Sequence, residues 1–307
     1  MTDITHPILV TGAHRSGTTW VGKMLAADSD VAYISEPLNV LHRPGVFGAK
    51  VSRWYQYICE ENEAEFLPAF EGLLDFDYHL WDEIRAIRSR RDFLRMGRDF
   101  LVFYNGSLRG QRALIKDPFA VFSLPWFAKR LNCKVVVTVR HPGAFASSLK
   151  RLGWKFDFND LLDQPLLMRD HAGDFRDEMK SIAADDVIGQ AALLWKIIYR
   201  SVHSTRERNP DFIAVRHEDL SLNPVDGFSG LYAKLGLDFT RRVERTILTS
   251  SSSENPSELP RGKTHSVRLD SRANVEGWKK RLSAEEIARI REITAGVASL
   301  FYPGEEW

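Results

Sequence analysis

Short apolar runs recur along the chain, and each has about the length of a β-strand. They read ILVTG, VAYIS, ALIKD, KVVVTVR and FIAVR. Runs that are apolar on both faces are typical of buried parallel strands. Segments with helical periodicity lie between them, at Thr18 to Ala27, Ala144 to Leu152, Val187 to Arg208 and Val225 to Leu235. This alternation predicts an α/β fold, a three-layer sandwich with a central parallel sheet, in a single domain spanning residues 1–307.

Two regions interrupt this alternation. Residues 49–110 are rich in aromatic and charged side chains and have a helical pattern, which predicts a mainly helical insertion over one end of the sheet. Within it, Ile84 to Arg95 predicts a basic helix. Residues 250–277 are dense in Ser, Pro and Arg, and a long loop of this kind is usually functional or disordered. Beyond it, Ser283 and Glu286 form the pattern of a capping box, which predicts a C-terminal helix.

Composition and charge limit the classes of partner. The chain has 307 residues and a net charge of +1, so it has no overall attraction to nucleic acid or anionic membranes. Basic residues therefore matter only where they cluster. The two cysteines have no metal or redox spacing, which fits a reducing compartment. No apolar run approaches the roughly 20 residues of a transmembrane helix, and no signal peptide precedes the first strand, so we expect a cytoplasmic protein.

A glycine-rich loop follows the first predicted strand. Residues Gly12 to Thr19 read G-x-x-x-x-G-T-T and lie between a strand and a helix, the context that a phosphate loop requires. The glycines let backbone N–H groups point inward, and the helix N-terminus adds partial positive charge. An ordinary glycine turn is the alternative. Where nucleotide triphosphatases have a lysine this chain has Thr18, and Arg15 supplies a cation from within the loop.

A second cation stands where a metal ligand would be expected. The strand KVVVTV is followed by Arg140, whereas a phosphate-loop triphosphatase carries a metal-binding Asp at the end of a strand. An arginine repels a metal ion and attracts an anion. The pattern therefore predicts a site for two separate anionic groups on one cofactor, with no metal required.

Four segments carry a resemblance to a known family. HRSGTTWVGKML is similar to the 5′-phosphosulfate loop of sulfotransferases that use 3′-phosphoadenosine 5′-phosphosulfate (PAPS), and VRHPGAFASSLK is similar to their 3′-phosphate motif. VRHEDLSLNP and GWKKRLSAEE are weaker matches, since the family's usual tyrosine and its Arg-Lys-Gly are not preserved. The resemblance implies a P-loop NTPase-like fold and a cofactor loop at 250–277, whereas the insertion at 49–110 has no match in the family and is assigned to the acceptor side from its own pattern. It also implies a set of donor-binding residues: Arg15, Ser16, Gly17, Thr18, Thr19, Trp20, Arg140, Ser148, His217 and Arg272.

Sulfuryl transfer needs a group that accepts the proton of the attacking hydroxyl. Glu36 ends the second predicted strand, where the side chain of an open α/β sheet faces the ligand crevice. Carbohydrate, heparan and tyrosyl-protein sulfotransferases resemble this arrangement, so Glu36 is the expected base, and His42 and Asp117 are the alternatives. Lys116 matches the lysine of the family's Lys-Thr-His run, which implies that it holds the transferring sulfonate, with Arg15 on the leaving-group side.

Three functions are compatible with these patterns. The first is sulfuryl transfer from PAPS to a hydroxyl of a carbohydrate or glycolipid, which releases adenosine 3′,5′-bisphosphate (PAP). The second is a P-loop small-molecule kinase that uses ATP and Mg²⁺, and the third is a non-catalytic nucleotide-binding protein. No nucleic-acid partner is expected. The sequence leaves the oligomeric state open, a homodimer included.

Overall fold

The computed structural model describes residues 6–258, 267–302 and 307. A five-stranded sheet forms its centre, with all neighbouring strands parallel and in the order β2-β3-β1-β4-β5. Each predicted strand is confirmed to within one residue of its bounds. The strands are β1 (Ile8–Gly12), β2 (Val31–Ser35), β3 (Arg112–Lys116), β4 (Lys134–Val139) and β5 (Ile213–Arg216).

Helices surround the sheet on both faces. The predicted helix at 187–208 is confirmed at both ends, and the other three predicted helices are confirmed with shifts of one or two residues at one end. In the described residues the helices are α1 (Thr18–Leu25), α2 (Leu67–Leu74), α3 (Leu80–Ala86), α4 (Arg90–Arg109), α5 (Leu124–Arg130), α6 (Pro142–Leu152), α7 (Asn159–Leu162), α8 (Pro165–Leu167), α9 (Arg176–Ser181), α10 (Val187–Arg208), α11 (His217–Leu222), α12 (Pro224–Leu235), α13 (Arg241–Ser251), α14 (Ser271–Val275) and α15 (Ala284–Ala298).

The sheet separates two hydrophobic cores. Side chains of successive strand residues point to opposite faces, so Ile8 and Val10 enter one core while Leu9 enters the other. The first core lies under α1, α12 and α13, and the second lies under α6, α10 and α15. Both faces of the sheet are therefore covered, which confirms the predicted three-layer α/β architecture.

The two irregular regions differ in part from expectation. The insertion contains the helices α2, α3 and α4 from Leu67 onward, but a single basic helix from Ile84 to Arg95 is wrong, because α3 ends at Ala86 and α4 begins at Arg90. The Ser89 side chain accepts a hydrogen bond from the backbone N–H of Asp92 and so caps the start of α4. In the C-terminal region, α13 and α14 occupy parts of 250–277, and residues 259–266 lie outside the described residues. The capping box at Ser283 is confirmed.

All strands run in the same direction, so their carboxyl ends meet at one edge of the sheet. The register pairs Gly12 of β1 with Thr138 of β4, and Ser35 of β2 with Lys116 of β3. The loops that leave these strands therefore start side by side. In open α/β sheets this edge is where ligands bind.

Candidate active site

The phosphate loop is held tightly between β4 and α11. A Cβ atom on Gly12 would lie 2.3 Å from the Thr138 carbonyl oxygen, and one on Gly17 would lie 2.3 Å from Cδ2 of His217. Both glycines also have positive φ angles, of 141° and 97°. The Ser16 hydroxyl is buried and shares a hydrogen bond of 2.7 Å with the Thr138 hydroxyl. Only glycine fits at these two positions, so the glycines shape the loop by their lack of a side chain.

The two predicted anion motifs meet at Arg15. Its guanidinium Nε donates to the Ser148 hydroxyl at 3.1 Å, and its backbone carbonyl accepts a hydrogen bond from Nη1 of Arg140 at 2.9 Å. Arg15 itself has a left-handed backbone, with a φ of 67°. Residues that are far apart in the sequence thus fix the loop and its cation in one arrangement. The structure brings together Arg15, Arg140 and Ser148 as the motifs predict.

A cavity opens in front of this cluster. Arg15, Arg140, Arg151 and Arg281 line it, whereas Glu258 is the one carboxylate among its described lining residues. Burial and the neighbouring guanidiniums of Arg140 and Arg151 lower the pKa of Arg15 to about 10. Such mutual repulsion between cations is relieved when a polyanion binds among them. The arginines that line this cavity therefore fit a ligand that carries two anionic groups. We refer to this space as the donor cavity.

Most of the predicted donor-binding residues line the donor cavity, and two do not. Ser16 lies beneath the loop against Thr138, and Arg272 donates its Nε–H to the Leu222 carbonyl at 3.1 Å. Arg151 and Arg281 line the cavity without having been predicted. The predicted residues that line it are Arg15, Gly17, Thr18, Thr19, Trp20, Arg140, Ser148 and His217.

Trp20 and His217 form one wall of the donor cavity. The Trp20 indole N–H donates to the Ser250 hydroxyl at 3.1 Å, and its ring packs edge-on against Phe228 at 5.1 Å. His217 lies 5.7 Å from Trp20 between ring centroids, and burial lowers the pKa of His217 to about 3. The imidazole is therefore neutral at physiological pH. This wall presents aromatic surface rather than charge.

Glu36 directly follows β2, and three contacts fix its position. Its carboxylate forms an ion pair with the buried Lys116 ammonium and accepts a hydrogen bond of 2.8 Å from the Asn39 amide. Its backbone N–H donates to the Lys116 carbonyl at 2.8 Å. The φ angle of Glu36 is 53°, an unfavourable value for a residue with a side chain. Strained backbone of this kind is often found at functional sites.

The two alternative bases have different surroundings. Asp117 is fully buried, and its carboxylate accepts hydrogen bonds from the backbone N–H groups of Leu38 at 2.6 Å and Phe119 at 2.9 Å. Burial, with a further contribution from nearby Glu36, raises the pKa of Asp117 to about 7. The hydrogen bond from the Leu38 backbone N–H to Asp117 fixes the turn that follows Glu36, so Asp117 has a structural role. His42 lines the same cleft as Glu36, and its Nδ1 lies 2.9 Å from the Asn39 carbonyl oxygen.

Two clefts meet at Glu36, Asn39 and Thr19 on the other side of the loop. One, of about 520 Å³, is lined by basic residues that include Lys23, Arg95 and Arg98. The other, of about 640 Å³, has aromatic walls and contains Arg15 and Thr18, which also line the donor cavity. We call the two together the acceptor cleft. Donor cavity and acceptor cleft are therefore joined at the phosphate loop.

His14 is a residue of this junction that sequence reasoning missed. Its ring lines the aromatic part of the acceptor cleft, and its Nδ1 lies 2.6 Å from the Tyr55 hydroxyl. Burial, with a smaller contribution from Arg15, lowers the pKa of His14 to about 3. A neutral imidazole with so little affinity for a proton is a poor general base at neutral pH. The only sequence signal was its place beside Arg15 in the loop.

Comparison with known proteins identifies the family to which the chain belongs. Residues 7–241 match the model of the Sulfotransferase family, so the chain belongs to that family. Carbohydrate sulfotransferase 5 of Homo sapiens is 26% identical over 178 residues, which cover 55% of this chain and 40% of the human protein. The chain therefore matches less than half the length of that relative. Sulfotransferases of this family use PAPS as the sulfuryl donor.

Solved structures agree at the level of the fold. Sulfotransferase STF9 from Mycobacterium avium is 15% identical, with a TM-score of 0.50 and coverage of 99% of this chain and 78% of that chain. The mouse sulfotransferase SULT7A1, crystallised with PAP, is 13% identical, with a TM-score of 0.50 and coverage of 98% and 87%. The fold is thus the P-loop NTPase-like fold of sulfotransferase enzymes. Among the described residues, no helix combines the length and apolarity needed to span a membrane.

Proposed function

We propose that the protein transfers the sulfuryl group of PAPS to a hydroxyl group of an acceptor and releases PAP. The observation that carries this proposal is the cluster of four arginines in the donor cavity, beside a phosphate loop that lacks the lysine of ATP-using enzymes. PAPS has two anionic ends, a 5′-phosphosulfate and a 3′-phosphate. The phosphate loop and Arg15 bind the 5′-phosphosulfate, and Arg140 and Ser148 bind the 3′-phosphate.

The chain's own residues can carry out the displacement. The acceptor oxygen forms a bond to sulfur, the bond from sulfur to the bridging oxygen of the 5′-phosphate breaks, and the hydroxyl proton passes to Glu36. Arg15 and the N–H groups of the phosphate loop stabilise the charge on the leaving phosphate. The Lys116 ammonium is buried beside Glu36 and stabilises the oxygens of the group in transfer. These cations supply the positive charge that Mg²⁺ supplies in kinases.

The walls of the acceptor cleft support a proposal for the class of acceptor. Trp54, Phe119 and Trp154 line this cleft with aromatic rings, and Asp157 and Asp160 add carboxylates to the lining. A sugar ring offers C–H faces to stack on aromatic rings and hydroxyls to bond to carboxylates. We therefore propose a carbohydrate or glycolipid acceptor, in keeping with the name of the human relative. A cytoplasmic location and a homodimer remain predictions.

Ligand-induced stabilisation tests the donor assignment. A ligand that binds only the folded state raises the melting temperature, and the rise grows with the ratio of its concentration to its Kd. We expect PAP to raise the melting temperature clearly more than ADP does at the same concentration, with or without Mg²⁺. Stabilisation by ADP with Mg²⁺ but not by PAP would favour the kinase alternative and overturn the proposal.

A second experiment separates an enzyme from a nucleotide-binding protein. Hydroxyl compounds, sugars first, are screened with PAPS labelled in its sulfuryl group, and transfer of the label is measured. We expect transfer to at least one sugar-bearing acceptor and no loss of activity with excess chelator. Binding of PAP without transfer to any compound of a broad panel would favour the non-catalytic alternative. Loss of transfer in chelator would refute the metal-free mechanism.

A further inference from the structure

Exposed apolar side chains are concentrated on one surface of the insertion. The described residues expose thirteen large hydrophobic side chains, and eight of these belong to the two helices α3 and α4. We call this surface the α3–α4 face. Its exposed apolar side chains are Trp81, Ile84, Phe93, Leu94, Phe100, Leu101, Tyr104 and Leu108. Clusters of this size on a folded protein usually mark an interaction surface.

The orientation of α4 explains the cluster. Phe93, Leu101, Tyr104 and Leu108 recur at spacings of eight, three and four residues, which places them on one side of the helix. Leu101 is 55% exposed and Leu108 is 68% exposed, while Phe103 on the opposite side is buried against the core. The usual surface helix turns its apolar stripe inward. This helix has a second apolar stripe that faces outward along its whole length.

Positive charge surrounds the stripe. Residues 80–109 contain seven arginines and four carboxylates. All four carboxylates are in ion pairs: Asp82 with Arg85, Glu83 and Asp92 with Arg43, and Asp99 with Arg98. Arg90, Arg91 and Arg95, by contrast, are exposed and have no ion-pair partner within the part of the chain that the structure describes. The α3–α4 face is therefore both apolar and cationic.

We propose that the α3–α4 face binds the surface of an anionic lipid membrane. Helices that lie in the membrane interface combine an apolar stripe with Arg or Lys along its edge, and Trp and Tyr rings sit at headgroup level. Each Arg near an anionic surface contributes about 1 kcal/mol. A second copy of the chain is a poorer occupant, because an antiparallel two-fold contact along α4 would bring Arg90 and Arg91 of one copy toward Arg109 of the other, and the carboxylates of this segment are already in ion pairs.

The α3–α4 face is continuous with the acceptor cleft. Arg95, Arg98 and Val102 of α4 line the basic part of that cleft, and Leu41, which is 80% exposed, stands at its mouth. A protein bound through this face has the cleft mouth at the lipid headgroups. An acceptor hydroxyl on a lipid-linked molecule then reaches Glu36 without leaving the membrane. This last step depends on the proposed function, whereas membrane binding itself does not.

Vesicle flotation tests the inference directly. The full chain is mixed with vesicles of phosphatidylcholine alone, or of equal parts phosphatidylcholine and phosphatidylglycerol. We expect binding to the anionic vesicles at least about tenfold stronger than to the neutral ones, weakening as salt is added. The double variant Phe93→Ser/Leu101→Ser and the double variant Arg90→Glu/Arg91→Glu should each lower the binding to anionic vesicles by at least about tenfold.

Matched controls come from α13, which is also basic and partly apolar. Leu248→Ser removes a side chain that is 50% exposed, and Arg241→Glu/Arg242→Glu reverses two exposed arginines at the start of a helix, as on α4. Both controls should bind vesicles within about twofold of the wild type. Equal losses in the controls, or no binding by the wild type, would overturn the proposal. Wild-type dimers in light scattering that the Phe93→Ser/Leu101→Ser variant abolishes, with no vesicle binding, would replace the membrane with a second copy of the chain.

The readouts remain separate from catalysis. Vesicle binding requires neither donor nor acceptor, and all four variants should keep the melting-temperature rise caused by PAP. A variant that loses both vesicle binding and the response to PAP is misfolded, and its partner double variant then decides the question. Retained vesicle binding in a protein that transfers no sulfuryl group would refute the proposed function alone.

Discussion

Replacing Glu36 by glutamine separates its proposed chemical role from its structural one. Glutamine keeps the length of the side chain and an oxygen that accepts from Asn39, but it cannot take a proton from the acceptor. Loss of a general base typically lowers turnover by about 10²- to 10⁴-fold. We expect a fall in this range. Affinity for PAP should stay within about twofold, because Glu36 does not line the donor cavity.

The structure also sets the expected effect on stability. Lys116 is 2% exposed and would lose its ion-pair partner, and removing one member of a buried pair costs about 3–5 kcal/mol. Because the Glu36 side chain is 29% exposed, solvent screens part of this interaction, and we expect a loss of about 2 kcal/mol. For a chain of 307 residues that is a fall in melting temperature of roughly 3 °C.

A double variant controls for this loss. Adding Lys116→Met to Glu36→Gln removes the orphaned ammonium, so the melting temperature should recover while turnover stays low. The assays are transfer from labelled PAPS, isothermal titration with PAP and differential scanning calorimetry. Wild-type turnover in the folded Glu36→Gln protein would refute Glu36 as base and leave His42 or Asp117. Because Lys116 is itself assigned to the group in transfer, turnover that returned together with stability in the double variant would refute the chemical roles of both Glu36 and Lys116.

Three further predictions follow from the donor cavity and the loop. Arg140→Ala should weaken PAP binding by about 10- to 100-fold in calorimetric titrations but barely change binding of adenosine 5′-monophosphate, and equal losses would mean that the 3′-phosphate lies elsewhere. Arg281→Ala should weaken PAP binding by about tenfold and Arg272→Ala by less than about twofold; the reverse order would place Arg272 in the site. Because His14 is held neutral, the stability it confers is complete above its unfolded pKa of about 6.5 and is lost as the pH falls toward about 3, by up to about 1.4 kcal/mol per pH unit. Urea unfolding near pH 7 and pH 5 should therefore show a smaller loss for His14→Gln than for the wild type, and equal losses would contradict the assignment.

The parts of the fold that were predictable depend on local patterns. The five strands were recognisable because parallel strands with both faces buried are apolar at successive positions, as in Ile8, Leu9 and Val10. The phosphate loop was recognisable because its two glycines have fixed spacing between a strand and a helix. The pair Arg140 and Ser148 was recognised by its resemblance to the family's 3′-phosphate motif, whose two residues have a fixed separation within one strand–helix unit. In each case the residues that define the feature are close in sequence.

The parts that were missed depend on distant contacts. Arg281 reaches the donor cavity because its Nε donates to the Ser147 hydroxyl at 2.8 Å, a partner 134 positions away. Arg151 reaches the donor cavity because α6 packs on the sheet. The outward apolar stripe of α4 depends on which side of that helix packs against the core. The break between α3 and α4 was also missed. The continuous run of basic residues suggested one helix, whereas Ser89 caps the start of a second helix. Single-sequence periodicity contains none of this tertiary information.

The strand order of the sheet gives a physical reason for the proposed division of roles. Along the carboxyl edge, β2 leads into Glu36, β3 ends at Lys116, β1 leads into the loop with Arg15, and β4 leads into Arg140. This sequence of groups is the order that an in-line displacement needs: proton acceptor, cation for the moving group, cation for the leaving phosphate, cation for the 3′-phosphate. Neighbouring strands are about 4.8 Å apart, so three steps span roughly 14 Å. In the proposed mechanism, a donor laid along this edge meets the three cations in turn, and the acceptor hydroxyl lies beside Glu36. Any rearrangement of the three central strands would break that order, which is why the fold and the proposed reaction depend on the same topology.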